Sequence, residues 1–405
     1  MHVKRIHLAL PLSSSYDRAV LHGILSYCQT HGEWEFWYTE QVNSQTRSGR
    51  MAKAVKMRGI QGIIVDLWNP EILGRLTQLG VPVVEVSGTA GCPPPGVHVD
   101  NTAVGAMAAQ HLLEKGLSHF GFIGWSSAQH SEARKIAFTR TLEQAGCPCD
   151  ILILPSPSPE RLAQIELRMR TWLQSLPKPV GVFAWFDYVA REAVYACRES
   201  GLRVPQDVAV VGADNDELSC ILSPTPISSI DVNAIQIGYE AARLLDRLIS
   251  GRRPPAGPIL VKPRGVVMRR STDTIANAKP EVILALQFMR EHASEGICVS
   301  DVLRKVAISR RTLEIELSRL LGRSPLQHIR HERVQRAKSL LLGTDLSVLA
   351  IARSCGFRSA TLFCRVYKSL IGSSPAQFRA KHRTPSLEGS APAGKFPAIK
   401  SSIHR

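Results

Sequence analysis

The chain has 405 residues, is 44% apolar, and carries 50 Lys and Arg against 34 Asp and Glu, for a formal net charge of +16 and a pI of about 9.7. That length exceeds one hydrophobic core and predicts two or three domains, while the apolar share excludes a disordered chain. The excess of positive charge predicts a polyanionic partner, nucleic acid or a membrane surface.

The opening MHVKRIHLALPLSSSYDRA has too short an apolar run for a secretory leader and reads as a first strand. Strand-like segments follow at 3–10, 59–67, 81–87, 119–124, 150–155, 180–186 and 208–214. They are rich in Val and Ile and mostly lack two-residue alternation, as in parallel strands buried on both faces. Helical patterns lie between them. The segment 17–29 lines up Val20, Ile24 and Cys28 on one stripe, and 102–116 ends in Lys115 and Gly116. A last helix near 234–250 stops at GRRPPAGP. Strand then helix, repeated, is an α/β plan.

From 280 to 383 the strands disappear. Residues 281–383 hold 18 Lys and Arg against 8 Asp and Glu, a local net of +10. LGRSPLQHIR at 321–330 nearly recurs as IGSSPAQFR at 371–379, and Ser309 and Leu313 match Ser359 and Phe363 at the same offset. A fixed period marks a duplicated structural unit. In the first copy Asp301–Val306 is a short helix, and Ser309 caps a second running from Arg310 to about Leu321, with Gly322 ending it. In the second, Val348–Cys355, a turn at Gly356 and cap Ser359 repeat the plan. A short helix, a tight turn and a Ser-capped helix sketch a helix-turn-helix, whose second helix enters the major groove. Two tethered heads can address successive groove faces about 34 Å apart. A helical hairpin domain that docks onto a protein is the competing reading. Beyond 384 the text loses periodicity and reads as a disordered tail.

No segment approaches 18 apolar residues, so no membrane span is expected. The nine cysteines are scattered, and no Cys/His group has zinc spacing, so a reduced cytoplasmic protein without metal or other cofactor is expected. No G-x-S-x-G, G-x-G-x-x-G or G-x-x-x-x-G-K-[ST] sequence occurs, which argues against an enzyme.

Carboxylates, arginine and aromatics cluster near predicted strand ends, where open α/β sheets bind ligands. They are Tyr16, Asp17 and Arg18; Asp66 and Trp68; Asp100 and Asn101; Trp125; Arg134; Trp185, Phe186 and Asp187; and Asp214 with Asn215. Such groups suit a polyol, whose hydroxyls need directed partners and whose C–H face needs an apolar cover. Asp17, Asp100 and Asp214 could instead cap helices, and Trp68 or Trp185 could be core.

Residues 280–383 resemble the tandem helix-turn-helix domain of the AraC/XylS regulators, through Ala352, Gly356, Phe357, Ser359, Phe363, Gly372 and Pro375. That resemblance implies DNA-binding positions at Ser309, Arg310, Arg311 and Glu314 in the first copy and Ser359, Ala360 and Thr361 in the second. Residues 208–249 resemble the ligand-binding domain of LacI/GalR repressors, through Gly212, Asp214, Pro226, Ile230, Gly238 and Ala241, and the likeness extends weakly over 1–270. The fold implied is an α/β periplasmic-binding-protein-like two-lobed sensing domain (1–275) followed by an all-α tandem helix-turn-helix domain (280–383). The function implied is a sugar-responsive transcriptional activator in the cytoplasm, at the nucleoid. It would act as a homodimer on duplex DNA half-sites, contact RNA polymerase, and take D-xylose as effector. Asp66, Arg134, Asp187 and Asp214 would bind hydroxyls, with Trp68 and Trp185 covering the sugar. Another pentose or small polyol as effector, or a sugar-dependent interaction protein that does not bind DNA, are the alternatives.

Overall fold

The Val- and Ile-rich segments become parallel strands covered by helices, as burial on both faces requires. A computed structural model of the chain describes residues 3–39, 53, 55–66, 70–88, 95–126, 129–155, 158–273 and 279–382. Trp68 and the expected tail from 384 lie outside the described residues. The chain divides into two compact units, one within Met1–Ala276 and one within Asn277–Gly394.

In the first unit β1 (Lys4–Ala9), β2 (Trp34–Tyr38), β3 (Gly62–Val65) and β4 (Val83–Glu85) form a parallel sheet in the order β2–β1–β3–β4. A second sheet contains β6 (His119–Trp125), β7 (Cys149–Leu154), β8 (Val180–Ala184), β9 (Val208–Ala213), β10 (Ser228–Asp231) and β12 (Gly265–Val267). Its order is β12–β10–β9–β8–β6–β7, with only β12 antiparallel. Each sheet is the heart of one lobe. The chain crosses between lobes three times. It passes from β5 (Val97–Val99) into α3 (Asn101–Leu113), from β10 into α8 (Ala234–Ile249), and from β11 (Ile259–Val261) into β12. β5 and β11 pair in parallel, Val97 beside Ile259 and Val99 beside Val261, so two crossings are laced together. Short connections at element ends such as these are where hinge bending between lobes is absorbed.

Helix α8 returns to the first lobe and packs on α1 (Ser15–His31). The two backbones touch. A Cβ on Gly238 would stand 1.8 Å from the Val20 carbonyl oxygen, and one on Gly23 would stand 1.9 Å from the Ile235 carbonyl oxygen. Only glycine fits a helix crossing this close, because the clash is with backbone that cannot rotate away. The remaining helices are α2 (Pro70–Thr77) in the first lobe and α4 (Gln129–Gln144), α5 (Leu162–Ser175), α6 (Asp187–Glu199) and α7 (Glu217–Ile221) in the second.

The second unit is all helix: α9 (Pro280–His292), α10 (Val299–Lys305), α11 (Arg310–Leu321), α12 (Pro325–Gly343), α13 (Val348–Ser354), α14 (Ala360–Ile371) and α15 (Pro375–His382). The repeated phrase turns out to be a stop and a restart. Gly322 and Gly372, at φ 61° and 84°, end α11 and α14 in the left-handed region that glycine tolerates. Ser324 then caps α12: its N–H donates to Gln327 Oε1 at 2.7 Å and its Oγ accepts from the Gln327 N–H at 3.3 Å. Ser374 and Gln377 repeat this reciprocal pair at 3.0 and 3.3 Å. Pro325 and Pro375 sit at the first helical position, where a missing N–H costs nothing. Val302, Leu313 and Leu317 are buried in the first copy, and Ile351, Phe363 and Tyr367 pack with Phe357 and Phe378 in the second.

Gly238→Ala should destabilise the first unit by at least the 1–3 kcal/mol typical of overpacking. Urea unfolding measures it, and a midpoint equal to wild type would show that the crossing can open.

Candidate effector site and nucleic-acid interface

The strand ends of the two sheets supply the candidate site. Asp66 directly follows β3, Trp185 follows β8 and Asp214 follows β9. Arg134, on α4, is only 4% exposed. Its Nε donates to Asn101 Oδ1 at 2.8 Å, one terminal nitrogen donates to the Trp185 carbonyl, and the other reaches Asp214 Oδ1 at 3.3 Å. A buried guanidinium without partners would cost several kcal/mol, so these contacts hold the start of α3 and the residues after β8 and β9 together. Asp214 is not a helix cap. It holds φ 96° and turns its carboxyl toward Arg134. Burial raises its pKa, and Arg134 opposes that rise.

From the first lobe come Tyr16, Asp17 and Asp66. The Tyr16 hydroxyl donates to the Val86 carbonyl at 2.7 Å, and its pKa is raised by burial and by the charges of Asp66, Asp17, Glu85 and Asp214. Acid groups from both lobes therefore face one place. Asp17, 1% exposed, shares a hydrogen bond with Asp66. Burial first, then the Asp66 charge, pushes Asp17 up to about 9. Asp17 Oδ1 and Trp185 Nε1 are buried without a protein partner, an uncommon state for buried polar atoms.

The other expected residues are placed differently. Asp100 is a cap, accepting the Ala103 N–H at 2.9 Å. Asp187 lies beneath the loop after β9, where its Oδ2 accepts the Asp216 N–H at 2.7 Å, and burial holds its carboxyl well above the usual range. Trp185 is 3% exposed and belongs to an aromatic wall with Trp125, Phe186 and Tyr188. His130, absent from the sequence-based set, stacks on Trp185 at 5.5 Å, and burial with Arg134 holds it neutral, down at about 3. Its signal was its place one helical turn before Arg134. A cavity of about 330 Å³ is lined by Trp125 and Tyr188 of this wall together with Met169 and Tyr195, and takes in neither Arg134 nor Asp214.

In the second unit the N-termini of α11 and α14 are the candidate DNA-reading ends. Ser309 Oγ accepts the Thr312 N–H at 3.1 Å and Ser359 Oγ accepts the Leu362 N–H at 3.2 Å, so both serines act as caps. Arg310, Arg311 and Glu314 are exposed, and Arg310 Nε pairs with Glu314 Oε1 at 3.0 Å. On α14 Thr361 is exposed and Ala360 half-buried. Sequence reading missed the charge there. Arg365 and Lys368 are exposed at helical spacing from Thr361, and Arg358 stands exposed just before the cap. An Arg presented in a major groove can bind guanine O6 and N7 in a bidentate contact, while Lys and further Arg neutralise phosphates.

Comparison with known proteins bears on both units. A family described as XylR N-terminal domain matches residues 5–93, a periplasmic binding protein-like domain matches 109–272, and a helix-turn-helix domain matches 302–381. The xylose operon regulatory protein of Escherichia coli is 34% identical over 384 residues, covering 93% of this chain and 96% of that protein. That of Haemophilus influenzae is 33% identical, covering 93% and 98%. The structure of a xylose-binding transcription activator, xylR, superposes with a TM-score of 0.63 at 32% identity, over 95% of this chain and 100% of that one. Fold, site and comparisons define a sugar-responsive transcriptional regulator, not an enzyme, with an α/β periplasmic-binding-like sensing domain followed by an all-helical helix-turn-helix domain. The chain belongs to the xylose operon regulatory protein family.

The AraC/XylS attribution is corrected by the same findings. The match at 302–381 is to a helix-turn-helix domain and names no AraC/XylS protein, and the relatives and first-unit matches place the chain with sugar-binding regulators related to the xylose operon regulatory protein of Escherichia coli. The reason is physical. Gly356 holds φ 74°, Ser359 caps α14 and Phe363 packs in the core, so the residues that carried the resemblance meet demands of helix-turn-helix geometry that are not particular to one family.

The raised Asp17 pKa has a consequence for stability. The folded state keeps a proton that the unfolded chain gives up, so stability falls as pH rises from the ordinary carboxylate value of 3.8 toward about 9. Asp17→Asn, a neutral mimic, should melt with a flatter pH dependence between pH 5 and 9. Parallel Tm profiles for the two proteins would contradict the assignment.

Proposed function

We propose that D-xylose binds between the lobes of the first unit and changes how the second unit engages duplex DNA. In this reading residues 1–275 sense and residues 280–383 bind DNA. Asp66 accepts from sugar hydroxyls on one side, and Arg134 and Asp214 hold them on the other. The Trp185 side of the aromatic wall closes the pocket against a larger hexose, and Asp187 supports the loop that carries Asp214. The observation that carries the reading is the convergence on one space of Arg134 and Asp214 from one lobe and Tyr16, Asp17 and Asp66 from the other. The choice of xylose draws support from the relatives, which are xylose operon regulators.

The sugar must favour one lobe arrangement over another, because equal affinity for both would shift nothing. Helices α11 and α14 carry the contacts, with Arg310, Arg311, Glu314, Thr361 and Arg365 toward bases and Arg358 and Lys368 toward phosphate. Ser309, Ser359 and Ala360 set the helix starts. The protein works as a homodimer, which puts four reading heads on paired half-sites, and it activates transcription by contacting RNA polymerase beside them.

Calorimetric titration of the full chain with D-xylose, L-arabinose, D-ribose and D-glucose tests the effector. D-xylose should bind tightest, and Asp214→Ala should weaken it by roughly 1–3 kcal/mol, the cost of one lost buried hydrogen bond. Heat from another sugar but none from xylose would overturn the effector and leave the regulator standing. On the DNA side, Arg311→Ala should weaken the preferred duplex more than a scrambled one, by roughly 1–3 kcal/mol. Lys368→Ala should weaken both equally and lower the salt dependence. A filter-binding series in rising salt separates the two outcomes, and equal losses for Arg311→Ala on both duplexes would remove it from base reading.

A further inference from the structure

The loop after β9 is held in an unfavourable shape. Asp214 and Asn215 both have positive φ, 96° and 53°, a conformation that persists only where the surroundings over-determine it. Local contacts account for the backbone. The Asp214 N–H donates to the Ile230 carbonyl at 3.0 Å, the Asn215 N–H to Ser229 Oγ at 3.0 Å, and the Asp216 N–H to Asp187 Oδ2 at 2.7 Å. The Asn215 side chain is held from much later in the chain. Arg269 donates from one terminal nitrogen to Asn215 Oδ1 at 2.8 Å and from the other to the Ile227 carbonyl at 2.9 Å.

Arg269 is itself fixed to a buried polar cluster. Its N–H donates to Ser228 Oγ at 2.8 Å, and its carbonyl accepts from that hydroxyl at 3.0 Å. Ser228 Oγ also accepts from Thr272 Oγ1 at 2.7 Å, which leaves Thr272 to accept from His111 Nε2 at 2.9 Å. Burial keeps His111 neutral, down at about 3, so it can donate that proton. Ser271 Oγ accepts the Ser228 N–H at 2.8 Å and donates to the Val210 carbonyl. Ser228, Ser271 and Thr272 are all buried. The single turn Arg270–Thr272 is thereby riveted to β9 and β10, and soon after it, at Asn277, the chain enters the second unit.

We propose that Arg269 is a positioning residue that couples effector occupancy to DNA binding. It joins the loop bearing Asp214 to the turn from which the chain leaves for the DNA-binding unit. This inference rests on the function proposed above. A sugar that draws Asp214 toward itself moves Asn215, and the guanidinium passes that shift to a backbone whose N–H and carbonyl are both tied to Ser228. Without the guanidinium the two ends relax independently. Coupling is a free energy between sites, read as the ratio of DNA affinities with and without sugar.

The test uses full-length protein and the duplex that the wild type prefers, with fluorescence anisotropy read with and without each of the four sugars named above. Arg269→Gln and Asn215→Ala both remove the Arg269–Asn215 bond; Arg269→Gln also gives up the contact to the Ile227 carbonyl, whereas Asn215→Ala leaves that contact and the Ser228 cluster untouched. Each should keep sugar-free DNA affinity within about twofold of wild type while reducing the sugar-induced change at least fivefold. The double variant should match Arg269→Gln in its sugar response, because the bond that the two substitutions share can be lost only once. A purely structural role for Arg269 would instead lower sugar-free affinity and Tm in Arg269→Gln and leave the response of Asn215→Ala intact, which would overturn the proposal. A wild type that responds beside an equally responsive Arg269→Gln would refute the coupling alone. A wild type unmoved by all four sugars would refute both the coupling and the effector reading.

Discussion

A guanidinium taken out of water must find its acceptors in the protein, and Arg134 is the clearest case in this chain. Its acceptors come from the start of α3, the residue after β8 and the residue after β9. No one of these elements could satisfy it alone. The buried cation therefore ties the strand ends of the second lobe together and draws the Asp214 carboxylate to itself, while local hydrogen bonds hold the Asp214 backbone at φ 96°. The first lobe answers with acid groups, Asp17 and Asp66: burial, and after it the Asp66 charge, makes Asp17 keep its proton. A cation on one side and a proton-sharing acid pair on the other offer both donors and acceptors across a hinge, which is what a polyol requires.

The second unit solves a different problem with a repeated solution. Each copy must stop one helix and start the next within a few residues, and glycine in the left-handed region followed by a reciprocal Ser–Gln cap does so. The duplication then yields two capped helix starts on one basic scaffold. Short recognition helices each reach few bases, and tethering makes the second contact cheap once the first has formed. The copies are not equivalent. α11 spends one charge on its own Arg310–Glu314 pair, whereas α14 keeps Arg365 and Lys368 exposed along its face.

What could be read from the sequence follows from how local each cause is. Both Ser-capped helices and the glycines that end them stand where spacing placed them, because caps act over three or four residues. The long buried strands were legible as Val- and Ile-rich runs, although 59–67 contracts to Gly62–Val65. β2 escaped notice because Trp34–Tyr38 is an aromatic edge strand, and β5, β10, β11 and β12 are too short to show a period. Among candidate site residues, Asp66, Trp185 and Asp214 stand just past strand ends, where their chemistry drew attention to them, and Arg134 lies on α4 within reach of Asp214. Asp187 also drew attention as an acid at a strand end, but its carboxylate is directed at the Asp216 backbone, which composition cannot reveal. Arg269 left no trace at all, since its partner Asn215 is remote in sequence and only the sheet brings them together. The family assignment of the second unit erred for the converse reason: residues required by local geometry recur wherever that geometry does.

The most direct test of this account is a crystal structure of the full chain grown with D-xylose. The account predicts one sugar between the lobes, with hydroxyls within hydrogen-bond distance of Asp66 on one side and of Arg134 and Asp214 on the other, and Trp185 behind it. A sugar seated instead in the cavity between Trp125 and Tyr195, with the space beside Arg134 unchanged, would contradict it.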